Sequence, residues 1–90
     1  MGMSFALDMP RPLNISKDSY GLLREILIDA RLNAGVTQAE LAVTLSVPQS
    51  FVSKYETGER RIDVVEFLCI CRALGADPIG ELQKLNIQIR

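Results

Sequence analysis

The sequence predicts an all-α protein with five short helices. Apolar residues recur at intervals of three and four along most of the chain, which is the spacing of one helix face. Typical N-cap residues precede these stretches and glycines follow them. No stretch alternates convincingly as a strand does, and no internal repeat is visible. Ninety residues, 48% of them hydrophobic, are enough for one small domain with a single core.

The first helix is expected to begin after residues 16–19, which contain three possible N-caps. It should run to Ala34 and stop at Gly35, because glycine tolerates the left-handed conformation that ends many helices. Its inner face is expected to consist of Leu23, Leu27, Ala30 and Ala34.

The second helix has the clearest start. Thr37 and Glu40 stand three residues apart, the spacing of a capping box in which each side chain accepts a hydrogen bond from the other residue's backbone N–H. Ser46 and Val47 are too few for a structured loop, so the chain must turn sharply after this helix. The apolar stripe is expected to consist of Ala39, Leu41, Ala42 and Leu45.

The third helix is expected to span residues 48–57. Pro48 suits a first helical position, because its φ is fixed and its missing N–H would be unpaired there anyway. Gly58 should end the helix. The inward face is expected to be formed by Phe51, Val52 and Tyr55.

Two further helices complete the pattern. Asp63 and Glu66 offer a second capping-box-like start, and Gly75 a stop. Asp77 and Pro78 then read as cap and first residue of a fifth helix. Ile62, just before the start of the fourth helix, should pack into the core. The expected apolar residues are Val64, Phe67, Leu68, Cys71 and Leu74 in the fourth helix and Ile79, Leu82 and Leu85 in the fifth.

Residues 37–61, TQAELAVTLSVPQSFVSKYETGERR, resemble the helix-turn-helix of phage-repressor and Cro-like proteins, the XRE family. The resemblance extends back to Arg31 and Gly35 and forward through residues 74–78, about two-thirds of the chain. It implies a five-helix, lambda-repressor-like DNA-binding domain in which the second and third helices form the helix-turn-helix. Ser46 stands where the family usually has glycine. The matching residues are Thr37 to Ala42, Val47, Val52 to Gly58, Arg60 and Arg61.

Three polar residues of the third helix are the candidates for reading bases. Gln49 and Ser50 lie at its start, where side chains of a reading helix reach base edges first. Glutamine can pair with adenine through its amide, and serine is a permissive partner. Lys54, one turn later, can donate to guanine or to phosphate. The alternative for each is an ordinary solvent-exposed side chain.

A second group of residues is expected at the phosphates. The resemblance implies a phosphate contact from the Gln38 amide or from nearby backbone N–H groups, and an ion pair between Arg31 and Glu56. Such a pair would orient the reading helix, because a guanidinium holds a carboxylate in two-pronged fashion; the alternative is two unrelated surface charges. The remaining phosphate candidates are Ser53, Thr57, Arg60 and Arg61.

The overall charge mildly opposes DNA binding. Ten basic and eleven acidic residues leave a net charge of −1, whereas nucleic-acid binders are often basic. The position of the charges matters more than their sum: Lys54, Arg60 and Arg61 cluster around the third helix. The acidic residues that follow in the chain are expected on another face: Asp63, Glu66, Asp77 and Glu81.

Composition excludes several other classes. No run approaches the ~20 apolar residues of a membrane span, and the first residues lack a secretory signal. Cys69 and Cys71 should point to different sides of one helix, which argues against a disulfide, and with no histidine in the chain a zinc site has too few ligands. We expect a cytoplasmic protein without metal or cofactor. No constellation for acid–base or nucleophilic chemistry is visible, so we expect no enzyme.

The chain ends are expected to extend a central domain. Residues 1–18 should form a flexible arm, residues 19–86 the domain, and residues 87–90 a tail that takes part in dimerisation. The C-terminal apolar residues exceed what the last helix of a small domain needs, and they predict a two-fold dimer; the alternative is packing on the chain's own core. These residues are Ile79, Leu82, Leu85, Ile87 and Ile89.

The sequence therefore predicts a transcriptional regulator that binds double-stranded DNA in the major groove. As a homodimer it should recognise an inverted repeat, with half-sites about 34 Å apart. RNA polymerase or a toxin are possible protein partners. The alternative is a protein–protein adaptor or antitoxin module that uses the same fold.

Overall fold

The computed structural model of the protein describes residues 17–85, with side chains from residue 19 onward. The predicted flexible arm lies outside this range except for its last two residues, Lys17 and Asp18, which belong to the first helix. The C-terminal tail and the interface residues Ile87 and Ile89 lie outside it as well. The described part is entirely helical, which confirms the predicted fold class. The helices are α1 (Lys17–Asn33), α2 (Gln38–Leu45), α3 (Gln49–Thr57), α4 (Val64–Leu74) and α5 (Pro78–Gln83).

Both predicted capping boxes are present. The Glu40 N–H donates to Oγ1 of Thr37 over 3.0 Å, and the Thr37 N–H donates to Oε1 of Glu40 over 2.9 Å. Asp63 and Glu66 make the same reciprocal pair at the start of α4, at 2.7 and 2.9 Å. Each box pairs two N–H groups that would otherwise be free at a helix start, so the N-termini of α2 and α4 are fixed locally.

Three helices end in the same way. A left-handed residue follows α1, α2 and α4, at Gly35 (φ 72°), Ser46 (φ 59°) and Gly75 (φ 69°). In each case the next N–H reaches back to a carbonyl five residues earlier, as from Val47 to Ala42 over 3.0 Å. This is the Schellman arrangement, which pairs the last helical carbonyls. Ser46 therefore adopts the backbone conformation of the glycine it replaces.

The core lies between the first four helices. α2 packs on α3 and α4, α1 packs on α3 and α4, and α5 packs on α4. Burial of these apolar side chains is the main favourable contribution to folding. The central buried residues are Leu27, Leu41, Ala42, Val52, Tyr55, Phe67, Ile70 and Cys71, with Leu23, Leu45, Phe51, Ile62 and Leu74 packed around them.

The predicted inner faces of the first two helices need correction. Ala34 is exposed, because α1 ends one residue before it, and Ile26, which the prediction omitted, is buried. Ala39 is exposed as well. Since the buried pair Leu41 and Ala42 faces inward, a helical rotation of about 100° per residue turns Ala39 away from the core.

The predicted apolar residues of α4 also differ in part from the residues that are buried. Phe67, Ile70 and Cys71 are buried, whereas Val64 is 73% and Leu68 46% exposed. Leu68 is two residues from the fully buried Ile70, so a rotation of about 200° places it on the other side of the helix. Cys69 is exposed and Cys71 buried, so their side chains point to different sides, as predicted. α4 therefore presents apolar side chains to solvent as well as to the core.

Candidate nucleic-acid interface

The third helix has one buried and one open side. Val52 and Tyr55 are 0% and 2% exposed, and they hold α3 against the core. Gln49, Ser50 and Lys54 are all exposed. An amide, a hydroxyl and an ammonium group thus stand uncovered on the outer side of α3.

The turn before α3 leaves its N-terminus open. Pro48 is the N-cap (φ −64°, ψ 151°) and not the first helical residue, so α3 begins one residue later than predicted. Proline has no side-chain acceptor, and no side-chain hydrogen bond caps the helix. The first N–H groups and the positive end of the helix dipole therefore point outward, where an anion can bind.

Two hydroxyls of α3 are engaged locally. Oγ of Ser53 donates to the Ser50 carbonyl over 3.3 Å, and Oγ1 of Thr57 donates to the Lys54 carbonyl over 3.2 Å. Either hydroxyl has to rotate out of this bond before it can donate to a phosphate oxygen.

One carboxylate joins three helices. Glu56 of α3 accepts from Nε of Arg31 at 2.7 Å and from Nη2 of Arg31 at 3.0 Å. It also accepts from the Gln38 amide of α2 at 2.8 Å. Nη1 of Arg31 donates to the Val36 carbonyl. The hydrogen bond to Glu56 raises the pKa of Arg31 above its ordinary value, so the guanidinium stays charged at any physiological pH.

This cluster changes what Gln38 can do. The resemblance implied a phosphate contact, yet one N–H of the Gln38 amide is already donated to Glu56. The second amide N–H and the backbone N–H groups at the start of α2 are the remaining donors for a phosphate. Sequence reasoning missed the bond because 18 residues separate the partners, and no local pattern marks it.

Arg60 is held in a structural cluster. Its Nη1 and Nη2 donate to Glu66 at 3.0 and 2.7 Å, and its guanidinium lies 4.5 Å above the Phe51 ring. The bond to Arg60 lowers the pKa of Glu66 and raises that of Arg60. The expectation that Glu66 lies on another face was therefore wrong, because the turn after α3 brings the start of α4 back beside the basic residues.

Arg61 has more freedom. Its guanidinium lies 4.2 Å above the ring of Tyr20 in α1, and no ion pair joins it to any described side chain. Stacking uses the face of a guanidinium and leaves its in-plane N–H groups free to donate. Lys54 is likewise exposed and without an ion pair among the described side chains.

A second exposed surface lies on α4 and α5. Ile79 is 62% and Leu82 43% exposed, while Leu85 is half-buried. Val65 and Leu68 of α4 are 68% and 46% exposed, so apolar side chains are open to solvent on both helices. We refer to Val65, Leu68, Ile79 and Leu82 as the α4–α5 apolar surface.

Other kinds of site find no support in the described range. Residues 17–85 contain no group of three or more potential metal ligands. Within the same range, no helix is both long enough and apolar enough to cross a bilayer.

Comparison with known proteins gives matches in line with this geometry. A family model described as a helix-turn-helix domain matches residues 23–83. The structure of an XRE-family like protein from Pseudomonas syringae pv. tomato str. DC3000 is 53% identical with a TM-score of 0.73, and the alignment covers 76% of this chain and 83% of that one. The clp gene regulator ClgR from C. glutamicum is 26% identical with a TM-score of 0.69, over 89% of this chain and 100% of that one. A search of curated proteins found no match.

Proposed function

The chain belongs to the XRE family of helix-turn-helix DNA-binding proteins, and from this membership we propose that it regulates transcription by reading operator DNA with α3. The observation that carries the proposal is the two-sided character of α3. Val52 and Tyr55 fix its inner side in the core, while Gln49 and Ser50 are exposed at its start. A rigidly held helix with polar groups at its open end has the form that enters a major groove.

Base reading is assigned to Gln49, Ser50 and Lys54. The Gln49 amide can donate to N7 of adenine and accept from its N6 amino group through two separate atoms, which gives a two-pronged contact. Ser50 is short and tolerates several bases. Lys54 is a flexible point charge one turn later, and it binds guanine or the adjacent phosphate.

The groups proposed to bind phosphate lie around the three base-reading residues. The open N-terminus of α3 and the free N–H groups of Arg61 are the strongest candidates, because neither is paired with an acidic side chain of the described residues. Gln38, Ser53, Thr57 and Arg60 are assigned weaker roles, since each is already engaged within the protein. Few phosphates are neutralised per subunit, so the salt dependence of each subunit should be shallow, about −0.9 per contact in log–log form.

Specific affinity then comes from pairing two subunits. The exposed side chains of Ile79 and Leu82 support a homodimer built on α5, together with Leu85 and, outside the described range, Ile87 and Ile89. A two-fold dimer places two copies of α3 in successive major grooves, about 34 Å apart, on an inverted repeat. Such a regulator acts in the cytoplasm, by covering a promoter or by contacting RNA polymerase.

A second function is favoured by the α4–α5 apolar surface. Exposed apolar patches on small proteins mark protein-binding sites, and the same surface suits an adaptor or an antitoxin bound to its toxin. These protein-binding roles differ from operator binding in their response to DNA. An adaptor has no sequence preference among DNA sites.

The deciding experiment is selection of bound sites from random double-stranded DNA, followed by affinity measurement on the selected site. The proposal expects an enriched inverted repeat and weaker binding by Gln49→Ala. Gln83→Ala is the matched control for loss of a glutamine amide, because Gln83 is exposed and lies outside the proposed DNA interface. Since α5 also carries the proposed dimer contacts, sedimentation equilibrium must show that this variant associates as the wild type does. If no sequence is enriched although the wild-type chain is folded, operator binding is excluded and the adaptor role remains.

A further inference from the structure

A cavity of about 230 Å³ lies between the first half of α1 and the loop that follows α3. Leu23, Leu27 and Ile62 form its apolar part. Small-molecule sites in proteins are usually about 300–1,000 Å³, so this cavity suits a compact ligand of the size of a single aromatic ring with one substituent. None of the DNA-reading side chains assigned above lines it.

The rim of the cavity carries positive charge. Arg24 and Arg61 both line it, and neither forms an ion pair with a described side chain. Arg60 is also present, but Glu66 neutralises it. Two guanidiniums without an acidic partner among the described side chains, above an apolar floor, favour a ligand that has an anionic group and an apolar body.

The wall of the cavity holds an unused polar group. Tyr55 lines the cavity and is 2% exposed, and its hydroxyl is the one buried side-chain polar atom without a hydrogen-bond partner among the described residues. Leaving a buried hydroxyl unpaired costs free energy. Because this hydroxyl has almost no accessible surface, a ligand oxygen recovers that cost only when the neighbouring side chains shift to expose it.

We propose that this cavity binds a small aromatic or branched-chain carboxylate, which acts as an effector of DNA binding. The apolar body contacts Leu23, Leu27 and Ile62. The carboxylate accepts from the Arg24 and Arg61 guanidiniums, and Tyr55 donates its hydroxyl to the ligand. The site lies within the same domain as α3, so regulation needs no second domain.

Occupancy is coupled to DNA through Arg61 and Gly58. Arg61 lines the cavity and is also assigned to a phosphate, and a carboxylate bound beside it offsets the positive charge that attracts the phosphate. Gly58 ends α3 and packs against Arg24, whose Cζ lies 3.1 Å from the position that a Cβ on Gly58 would occupy. A bound carboxylate therefore weakens DNA binding. This coupling rests on the proposed function, whereas ligand binding itself does not.

The test of binding uses benzoate, with uncharged benzamide as the matched compound, in the absence of DNA. Two-dimensional amide NMR of the full chain should show saturable shifts at Leu23, Gly58 and Ile62 with benzoate and none with benzamide. Arg24→Gln should raise the benzoate dissociation constant about tenfold or more, as loss of a charge-assisted hydrogen bond does. Tyr55→Phe should raise it several-fold, and Arg72→Gln, an exposed arginine of α4 outside this cavity, should not change it.

The test of coupling adds DNA. At equal ionic strength set with sodium chloride, benzoate should raise the dissociation constant for the selected operator several-fold, and benzamide should not. If benzoate causes no shifts at the cavity residues, the proposal is overturned. A cavity that is already filled in solution would give this result. Equal responses to the two compounds, or equal losses in Arg24→Gln and Arg72→Gln, overturn it as well. Because the first titration contains no DNA, its outcome is separate from the outcome of the operator selection.

Discussion

Arg31 and Glu56, 25 residues apart in the chain, form a two-pronged ion pair with Nε–Oε2 and Nη2–Oε1 distances of 2.7 and 3.0 Å. Their side chains are 11% and 5% exposed. The pair joins the end of α1 to the end of α3, and Gln38 of α2 donates to the same carboxylate. A charge cluster outside the apolar core thus ties α3 to α1 and α2.

Removal of one partner should be far more damaging than removal of both. Arg31→Met leaves the Glu56 carboxylate buried without its counter-charge, and we expect a loss of about 3–5 kcal/mol in the free energy of unfolding. Urea denaturation measures it. The double variant Arg31→Met/Glu56→Met should recover much of this loss, because no buried charge remains; an equal loss in both variants contradicts the burial argument.

Ser46→Gly should stabilise the protein by about 1 kcal/mol, because a non-glycine residue at φ 59° carries left-handed strain. Thermal or urea unfolding measures the difference. Gly75→Ser is the reciprocal control at an equivalent left-handed position, where an added Cβ meets no heavy atom within 4 Å. It should lose a similar amount, and stabilisation by the serine would disprove the strain.

Gln49→Ala and Arg61→Ala should differ in kind. Loss of the glutamine amide should weaken binding to the selected site by about 1–3 kcal/mol and relax preference at one base position. Arg61→Ala should weaken all sequences equally and flatten the salt slope by about 0.9. Fluorescence anisotropy over a range of salt concentrations separates the two effects; one uniform effect for both variants contradicts the division of roles.

Dimerisation should depend on α5. Ile79→Lys and Leu82→Lys place charges among the exposed apolar residues of α5, and we expect each to shift sedimentation equilibrium toward the monomer. Val43→Lys is the control, since Val43 is 79% exposed on α2. A wild-type chain that stays monomeric at micromolar concentration and above, with or without DNA, rules out the homodimer.

The two cysteines should differ in reactivity. The pKa of the Cys71 thiol is raised, chiefly because the side chain is buried and also because the negative charges of Glu81 and Asp77 disfavour the thiolate. Cys71 is therefore protonated at neutral pH. Cys69 is exposed. A disulfide reagent should label one thiol per native chain at neutral pH, and Cys69→Ser should abolish that labelling. In urea the second thiol should react, which measures the opening of the core.

Local signals in the sequence were sufficient for the helices and their ends. The capping boxes of α2 and α4, the left-handed glycines after α1 and α4, and the Asp77–Pro78 start of α5 are all where they were predicted. Each depends on residues within one or two turns, so neighbouring side chains decide it. Helix faces were less accurate, because Leu68 and Phe67 are equally apolar and only the partner helix selects which is buried.

The sequence alone determined the secondary structure, the place of the left-handed turns and the group of polar residues on α3, since these follow from backbone chemistry over a few residues. Apart from the Arg31–Glu56 pair, which the family resemblance implied, the tertiary structure alone decided which polar and charged side chains meet. Glu66 binds Arg60, Gln38 joins Arg31 at Glu56, and Tyr20 and Arg24 approach the loop after α3 to enclose a cavity. Long side chains pair by distance in space, and that distance is set only when the helices have packed.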